Sequence, residues 1–262
     1  MIGQKRLQDR LKVIDIETFP KSLILTGDTG CGKHLFCSML QNKFNTWEFQ
    51  YVNSTINYAF VENCYLISSP RFYVIDADNL TEREQNVLLK LFEEPPDMVN
   101  IILLSTNAET LLNTIINRAI IWEFEKYTAK ELQEFLNGKD PRLLSLVTTP
   151  GQLLSLSDKD IDNMIALCQL VIDKINNASI SNTLSLNNKF FNDKNNVQYD
   201  ILVFIRMLRK LLLEKIISCD STKYVDAFEI VNAYYNNILR FKNINKKYLF
   251  DNFIIQLKNS LQ

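Results

Sequence analysis

The glycine-rich segment at residues 27–34 constrains the fold more than any other part of the chain. It reads Gly-Asp-Thr-Gly-Cys-Gly-Lys-His and follows directly on the short apolar run of residues 22–26. In the pattern G-x-x-x-x-G-K, glycines let backbone N–H groups converge on phosphate oxygens at the start of a helix, while the lysine reaches the outer phosphates. A chance glycine-rich turn is the alternative, but the preceding strand and the following helix favour a phosphate-binding loop.

The last position of this loop departs from the usual pattern, because His34 stands where serine or threonine is expected. A hydroxyl group there would coordinate Mg²⁺, whereas imidazole suits transition metals better than this hard ion. We therefore expect the loop to bind the phosphates of ATP or ADP without competent Mg²⁺-dependent hydrolysis. The predicted phosphate-binding residues are those of the whole loop, Gly27, Asp28, Thr29, Gly30, Cys31, Gly32, Lys33 and His34.

Further apolar runs indicate that strands and helices alternate in the first half of the chain. Residues 72–75, 101–104 and 120–124 are short and apolar, as strands buried in a parallel sheet are. After the first of them, Thr81 and Glu84 form a capping box at the start of a helix, which must end before Pro95. This alternation predicts a doubly wound parallel sheet.

From residue 128 onward every predicted element is a helix. The predicted ranges are 128–136, 140–146, 150–156, 160–177, 197–218, 222–241 and 246–261. Residues 178–196 are rich in Asn, Ser and Lys and are the best linker candidate. The fold class is therefore α/β followed by all-α, with predicted domains at residues 1–126, 127–178 and 179–262.

The composition excludes several classes of function. There are 29 Lys and Arg against 30 Asp and Glu, so the chain cannot bind nucleic acid through net charge alone. Residues 201–262 carry 10 basic and 5 acidic side chains, which fits either an acidic partner or a solvated helical face. No apolar run approaches the ~20 residues of a membrane-spanning helix, and no secretory signal is evident.

Cysteine and histidine argue against a metal centre. The five cysteines form no C-x-x-C pair, and His34 is the sole histidine. Unpaired cysteines of this kind are typical of reduced thiols, with neither a disulfide framework nor a zinc site. We expect a cytoplasmic protein that holds no metal and does not contact a membrane.

Residues 74–96 carry a resemblance to a known family. They read VIDADNLT and, after three further residues, QNVLLKLFEEPP. Members of the AAA+ clamp-loader family show an acidic strand end, then LT, then QNALLKTLEEPP. Other family elements appear on either side of this segment in the family's order. They are GQ at residues 3–4, TN at 106–107, and counterparts of TIxSRC at 114–119, GSPGRAL at 148–154 and NxN at 243–245. The resemblance implies an AAA+ sheet domain, a small helical lid and a C-terminal helical collar.

Departures from the family pattern affect the residues that hydrolyse ATP. When the family's acidic motif is aligned on Thr81, Asp76 takes the place of the water-activating glutamate. In the alternative alignment, which assumes a one-residue deletion, Asp76 takes the place of the Mg²⁺-binding carboxylate and Ala77 that of the glutamate. The lid arginine of the family is replaced by Gln152, while Asn107 matches the polar sensor at a strand end. Because hydrolysis needs the metal, the water-orienting group and the charge clamp together, we expect no intrinsic ATPase activity.

Arg118 matches the arginine that, in this family, reaches the nucleotide of the adjacent subunit. Its neighbours have changed, to Asn117 and Ala119 in place of serine and cysteine. A planar, permanently charged guanidinium suits this role, and a surface arginine paired with, for example, Glu123 is the alternative. The resemblance is to the δ′ subunits of bacterial DNA polymerase III, which typically retain this arginine, called an arginine finger, beside a degraded hydrolysis site.

The resemblance implies a non-hydrolysing subunit of a hetero-pentamer-like ring that acts with a sliding clamp and primer–template DNA in replication. Two alternatives stay open at this point. One is an active motor ATPase, for instance of a phage clamp loader that tolerates His34, and the other is a scaffold whose phosphate loop is vestigial.

Several aromatic and basic residues in the second half have two interpretations. Aromatic side chains could stack on bases or pack in a core, and basic ones could face DNA or a partner or cover a helical surface. These residues are Phe190, Phe191, Tyr234, Tyr235, Arg206, Arg209, Lys210 and Lys215.

Overall fold

The structure is a computed structural model that describes residues 2–53, 55–177, 190, 201–219, 222–240 and 245–261. The chain divides into two compact units, one made of Met1–Gly138 with Thr148–Ser155 and the other of Lys139–Val147 with Leu156–Gln262. The predicted linker at 178–196 lies outside the described residues, except for residue 190. The predicted domain boundaries after residues 126 and 178 stay a prediction.

The first unit is built on a parallel sheet of five strands in the order β2-β3-β4-β1-β5. The strands are β1 Ser22–Thr26, β2 Glu48–Val52, β3 Arg71–Asp76, β4 Val99–Ser105 and β5 Ile120–Glu123. The predicted parallel sheet is thus confirmed. Every residue of β1 and β4 is buried, because these strands lie inside the sheet.

The sheet buries side chains on both faces, which is why its inner strands read as unbroken apolar runs. Along β1, Leu23 and Leu25 belong to one core cluster and Ile24 to the other. The first cluster is rich in aromatic rings, and Phe19 meets Phe72 edge to face at a centroid distance of 5.1 Å. Packing on both faces fixes the register of the strands, and with it the position of each strand's carboxyl end.

Helices and short 3₁₀ turns surround this sheet. The helices of the first unit are α1 Lys5–Val13, α2 Lys33–Lys43, α3 Tyr58–Leu66, α4 Glu82–Glu93, α5 Asn113–Ile116, α6 Ala129–Gln133 and α7 Pro150–Ser155. The predicted capping box of α4 is confirmed, since the Thr81 hydroxyl accepts from the amide of Glu84 (3.3 Å) and the Glu84 carboxylate accepts from the amide of Thr81 (3.0 Å). It sets the first residue of the helix that carries the family-like QNVLLKLFEE segment.

The second unit is helical, as predicted. Its described residues form the helices α8 Asp158–Asn177, α9 Ile201–Cys219, α10 Thr222–Arg240 and α11 Lys246–Leu261. The α-helix predicted at residues 140–146 is instead a 3₁₀ turn at Pro141–Ser145, a five-residue segment with proline in its first turn and the Asp140 side chain as its cap. No helix among the described residues is long and apolar enough to cross a membrane.

Aromatic side chains form the core of this helical unit, so the packing interpretation holds for two of the candidate stacking residues. Phe190 and Tyr234 are both buried. The ring of Phe190 lies 4.8 Å from that of Phe204, and the ring of Tyr234 stacks on Phe253 at 4.3 Å. Phe191 lies outside the described residues.

The basic residues of α9 cover the helical surface. The Arg206 guanidinium donates to the Leu146 carbonyl (2.9 Å) and to the Tyr235 hydroxyl (3.2 Å), and Arg209 lies 5.0 Å above the Tyr235 ring. Lys210 donates to the Ser145 hydroxyl, and Lys215 lies over the Tyr224 ring. These contacts agree with long cationic side chains that pack along apolar surface while their charges stay near water.

Candidate functional site

The predicted phosphate loop connects β1 to α2, and its backbone takes a conformation that depends on glycine. Gly30 has φ +80° and Gly32 has φ +107°, a region that residues with a Cβ rarely adopt. At Gly30 a Cβ atom would also lie 2.9 Å from the Thr149 hydroxyl and 3.0 Å from the Cα of Gly151. Glycine is therefore required at Gly30 on two independent grounds.

Positive charge and backbone N–H donors lie together where this loop enters α2. Lys33, His34 and Leu35 form the first turn of α2, so their N–H groups have no acceptor within the helix. Gly32 caps the helix without a side chain, and the helix dipole adds partial positive charge at the same point. The Lys33 ammonium donates to the carbonyls of Gly27 and Asp28 and so stays at the loop. This set of donors fits an anionic phosphate group.

The opposite side of the loop is held by residues 148–152. The Gly151 amide donates to the Gly30 carbonyl (2.9 Å), and the Thr149 hydroxyl donates to the Thr29 carbonyl (2.8 Å). Both bonds use loop carbonyl oxygens and leave the N–H groups that a phosphate would need. Residues 148–152, which correspond to the family's lid element, therefore support the loop through its carbonyl groups.

The backbone of the loop is also held at Cys31. Cys31 is buried, and the Tyr127 hydroxyl donates to its carbonyl (2.8 Å). Burial raises the pKa of the Cys31 thiol, which keeps it neutral. The buried Gln4 side chain bonds the Glu125 backbone twice, donating to its carbonyl (2.6 Å) and accepting from its amide (2.8 Å). Cys31 thus supports the loop as a buried side chain.

Two carboxylates face the loop from the end of β3. Asp76 and Asp78 line a cleft of about 330 Å³ together with Lys33, His34 and Thr106. The predicted residues Thr29, Gly30 and Gly32 line the same cleft. The structure therefore brings Asp76 to the phosphate loop, as parallel strands with adjacent carboxyl ends should.

Asp78 is a site residue that the sequence reasoning missed. Its Oδ1 atom accepts from the Ser105 hydroxyl (3.1 Å) and from the amide and hydroxyl of Thr106 (3.0 and 3.1 Å). The carboxylate thus ties the end of β3 to the end of β4. A second aspartate two residues beyond the strand end was the available signal.

The Asp76 carboxylate is also engaged by the protein. Its Oδ1 atom accepts from the Asp78 amide (3.1 Å), and its Oδ2 atom accepts from the Asn79 side chain (3.2 Å). The exposed His34 ring lies 5.8 Å from the ring of Tyr51. An imidazole at the loop position where a hydroxyl is expected does not fit the oxygen-rich set that Mg²⁺ prefers. Among the described residues, no group of three or more His, Cys, Asp or Glu could hold a metal ion.

Asn107 and Gln152 use their side chains locally. The Asn107 side chain accepts from the Glu109 amide (2.9 Å) and caps a 3₁₀ turn, so the residue of this strand end that lines the cleft is Thr106. The Gln152 side chain accepts from the Thr148 amide (3.0 Å) at the start of α7. The sensor role of Asn107 stays a prediction.

Arg118 lies just beyond α5 and is not among the residues that line the cleft. Its Nη2 atom pairs with Glu93 Oε1 at 3.0 Å, and its Nη1 atom donates to the Thr114 carbonyl at 3.0 Å. The sequence reasoning suggested Glu123 as an alternative partner, and the structure shows Glu93 instead. Arg118 and the phosphate loop are thus separate features of the first unit.

Comparison with known proteins places these features in a family context. Residues 52–128 match the family model described as "DNA polymerase III, delta subunit", a range that contains Asp76, Asp78, Glu93 and Arg118. A search of curated proteins finds no match. The resemblance to AAA+ clamp loaders is thereby confirmed for the segment that carries its most specific motif.

One solved structure supports the fold, and two further ones align less well. A DNA polymerase III gamma subunit-related protein of Thermotoga maritima aligns with a TM-score of 0.52 at 16% identity, over 98% of this chain and 99% of that one. Two point variants of Thermotoga maritima RuvB align with TM-scores of 0.47 and 0.49 at 18% identity, over 82% of this chain and 76% of theirs. The first alignment spans both units and agrees with the predicted architecture, a parallel sheet domain followed by helices.

Proposed function

From this likeness to clamp-loader AAA+ proteins, we propose that the chain is a non-hydrolysing clamp-loader subunit. In this proposal it binds the phosphates of ATP or ADP at its own loop and offers Arg118 to the ATP of a neighbouring subunit. Its partners are other clamp-loader subunits in a hetero-pentamer-like ring, a sliding clamp, and primer–template DNA reached through the assembled complex.

The observation that carries the proposal is the state of the two carboxylates in the cleft. Asp78 Oδ1 already accepts three hydrogen bonds, and each oxygen of Asp76 accepts one. A general base must lie within hydrogen-bond reach of the water it activates. A carboxylate offers about four acceptor sites, and Asp78 uses its sites on Ser105 and Thr106 while Asp76 uses two on Asp78 and Asn79. Because these acceptors hold strand ends and turns together, we infer that they serve the architecture of the cleft and not hydrolysis.

The phosphate-binding side of the cleft supports nucleotide binding. The first-turn N–H groups of α2 and the Lys33 ammonium would hold the phosphates, while the glycines let them approach the backbone. Bound ATP or ADP would supply a polyphosphate whose charge these groups neutralise. The His34 imidazole and the Gln152 side chain, which accepts from Thr148, supply neither a magnesium ligand nor a positive charge clamp of the kind hydrolysis requires.

The environment of Arg118 supports a role toward another molecule. Its side chain is 39% exposed, and two contacts hold it in place. A guanidinium has five N–H donors, so about three remain after these contacts within the described part of the chain. Such a group can neutralise charge that develops on a phosphoryl group in transfer.

Hydrolysis measured on the chain alone and in its complex tests this proposal. We expect no ATPase activity from the purified chain and robust activity from the complex with its native partner subunits. Arg118→Ala should abolish hydrolysis at the one neighbouring site that it completes, a loss on the order of 10³-fold at that site. Arg83→Ala, an exposed arginine on α4, is the matched control and should leave hydrolysis unchanged.

Three results would contradict the proposal. Robust hydrolysis by the chain alone, with tight nucleotide binding that needs Mg²⁺, would make it a motor ATPase. Unchanged complex activity in Arg118→Ala would remove the finger role. Nucleotide binding and assembly unaffected by Lys33→Ala would indicate a scaffold with a vestigial loop.

A further inference from the structure

We infer that Glu93 is a positioning residue, which holds the Arg118 guanidinium in the orientation that it presents to a neighbouring subunit. This inference rests on the proposed function, because it concerns how Arg118 performs the role assigned to it there. Glu93 is the last residue of α4, and Glu94 is its C-cap. The structure distinguishes these two adjacent glutamates.

The guanidinium is held from two directions by two different elements. Glu93, the last residue of α4, pairs with the Nη2 atom at 3.0 Å, and the Thr114 carbonyl of α5 accepts from the Nη1 atom at 3.0 Å. A flexible arginine side chain loses rotamer entropy when it is ordered for a reaction. Two contacts at two nitrogens define the plane of the guanidinium before a partner binds, and this reduces that cost.

The position of Glu93 is unfavourable for an isolated helix. It lies at the C-terminal end of α4, where the helix dipole disfavours negative charge and favours cations. Arg118 supplies the compensating cation. Glu94 occupies the C-cap next to it, and in the described part of the chain its side chain makes no hydrogen bond or ion pair. Of these two adjacent glutamates, Glu93 is thus the one that pairs with the Arg118 guanidinium.

The C-terminal end of α4, which carries Glu93, is held in place by Tyr65 of α3. The Tyr65 hydroxyl of α3 donates to the carbonyl oxygens of Glu94 (2.8 Å) and Lys90 (3.2 Å), and the Lys90 ammonium lies 4.9 Å above the Tyr65 ring. These contacts satisfy terminal carbonyl groups of the helix. The Glu93 backbone is therefore held in place, and its carboxylate can set the direction of Arg118.

The ion pair is exposed enough to yield to a phosphate. The side chains of Arg118 and Glu93 are 39% and 48% exposed, and water and salt weaken a pair of this kind. Glu93 therefore orients Arg118 without sequestering it. Its removal should lower the rate at the neighbouring ATP site and leave the affinity for ATP unchanged.

Single-turnover ATP hydrolysis by the complex with its native partner subunits tests the inference. Arg118→Ala should abolish one kinetic phase, and Glu93→Ala should slow that same phase about fivefold at unchanged ATP affinity. Glu93→Gln, which keeps an acceptor oxygen, should fall between Glu93→Ala and the wild type. Glu94→Ala is the matched control on the same helix end and should behave as the wild type.

A double variant separates positioning from a structural role. Glu93→Ala added to Arg118→Ala should cause no further loss, since a residue that acts through Arg118 has no effect without it. Further loss in the double variant would make Glu93 a structural residue and overturn the inference. Thermal unfolding of the single glutamate variants should show nearly equal stability, because the exposed ion pair that only Glu93→Ala removes contributes little to folding.

The remaining outcomes distinguish failure of this inference from failure of the proposed function. If Arg118→Ala removes the phase and Glu93→Ala leaves it unchanged, only the positioning role fails. A faster phase in Glu93→Ala would show that Glu93 restrains the arginine, and this too would overturn the inference alone. If Arg118→Ala removes no phase, the proposed function fails and the positioning role fails with it.

Discussion

The backbones of Gly30 and Gly151 are in direct contact: the Gly151 amide donates to the Gly30 carbonyl at 2.9 Å, and a Cβ on Gly151 would lie 2.6 Å from the Cα of Gly30. The two residues are 121 positions apart in the sequence, yet neither tolerates a side chain at this approach. A methyl group added at either glycine would fit only if the backbone moved, because the two backbones are already in contact. The phosphate loop and the start of α7 therefore form one packed structure.

Gly151→Ala should destabilise the first unit. The added methyl group meets backbone atoms, and overpacking of this kind costs about 1–3 kcal/mol in the free energy of unfolding. Denaturant unfolding followed by the fluorescence of Trp47 and Trp122 measures the change. Leu154→Ala, an exposed position on the same helix, should change the stability by less than about 0.5 kcal/mol. Equal stability of Gly151→Ala and the wild type would show that the contact is looser than described.

Lys33→Ala should weaken the binding of ADP measured in the absence of Mg²⁺. A hydrogen bond to a charged group contributes about 1.5–3 kcal/mol, so the dissociation constant should rise about 10- to 100-fold. Isothermal titration calorimetry with ADP in EDTA measures it. Lys130→Ala, an exposed lysine on α6, controls for the loss of one positive charge. ADP that binds equally well to both variants would place the nucleotide elsewhere.

Asp78→Asn should destabilise the fold without creating ATPase activity. The Thr106 amide now donates to both carboxylate oxygens (3.0 and 3.1 Å), and in asparagine one of these two contacts becomes a contact between donors. The loss of a hydrogen bond to a charged group costs about 1.5–3 kcal/mol. Denaturant unfolding gives the change in stability, with Glu62→Gln on the exposed face of α3 as the control for charge. If Asp78→Asn keeps full stability but changes hydrolysis in the complex, Asp78 acts in the chemistry and not in the architecture.

Glu84→Ala should reduce stability at neutral pH and have a smaller effect in acid. Hydrogen bonds from the amide and hydroxyl of Thr81 hold the pKa of the Glu84 carboxyl below its ordinary value of 4.5. A lowered pKa in the folded state means that the contribution is complete above pH 4.5 and is lost as the pH falls below it. The difference at pH 7 should be about 0.5–2 kcal/mol, as for other N-terminal capping groups. Unfolding curves between pH 7 and pH 3 measure it, and a pH-independent difference would contradict this account.

The inner strands and the later helices could be predicted because their sequence signals are local. Strand β1 was predicted at its observed bounds, since a fully buried strand reads as an unbroken apolar run. Helix α11 was also predicted at its observed bounds. Strand β2 was missed because it lies at the sheet edge with exposed residues, and α1 and α3 were missed with it.

The candidate site could be predicted only where one segment carries it. The phosphate loop and Asp76 follow from motifs, and the structure brings them to one cleft. The role of Asp78 depends on β3 and β4 being neighbours, and the partner of Arg118 depends on where α4 ends beside α5. Such relations join distant segments, and no spacing in the sequence encodes them.

The order in which the ribosome makes this chain matters for the phosphate loop. The supports of the loop include Thr149 and Gly151, and these residues are synthesised after the segment Lys139–Val147, which belongs to the helical unit. Domains generally fold during synthesis from the N-terminus onward. A nascent chain of 138 residues therefore contains all five strands of the sheet but lacks Thr149 and Gly151, and the loop gains these two supports only after Ser155 has left the exit tunnel.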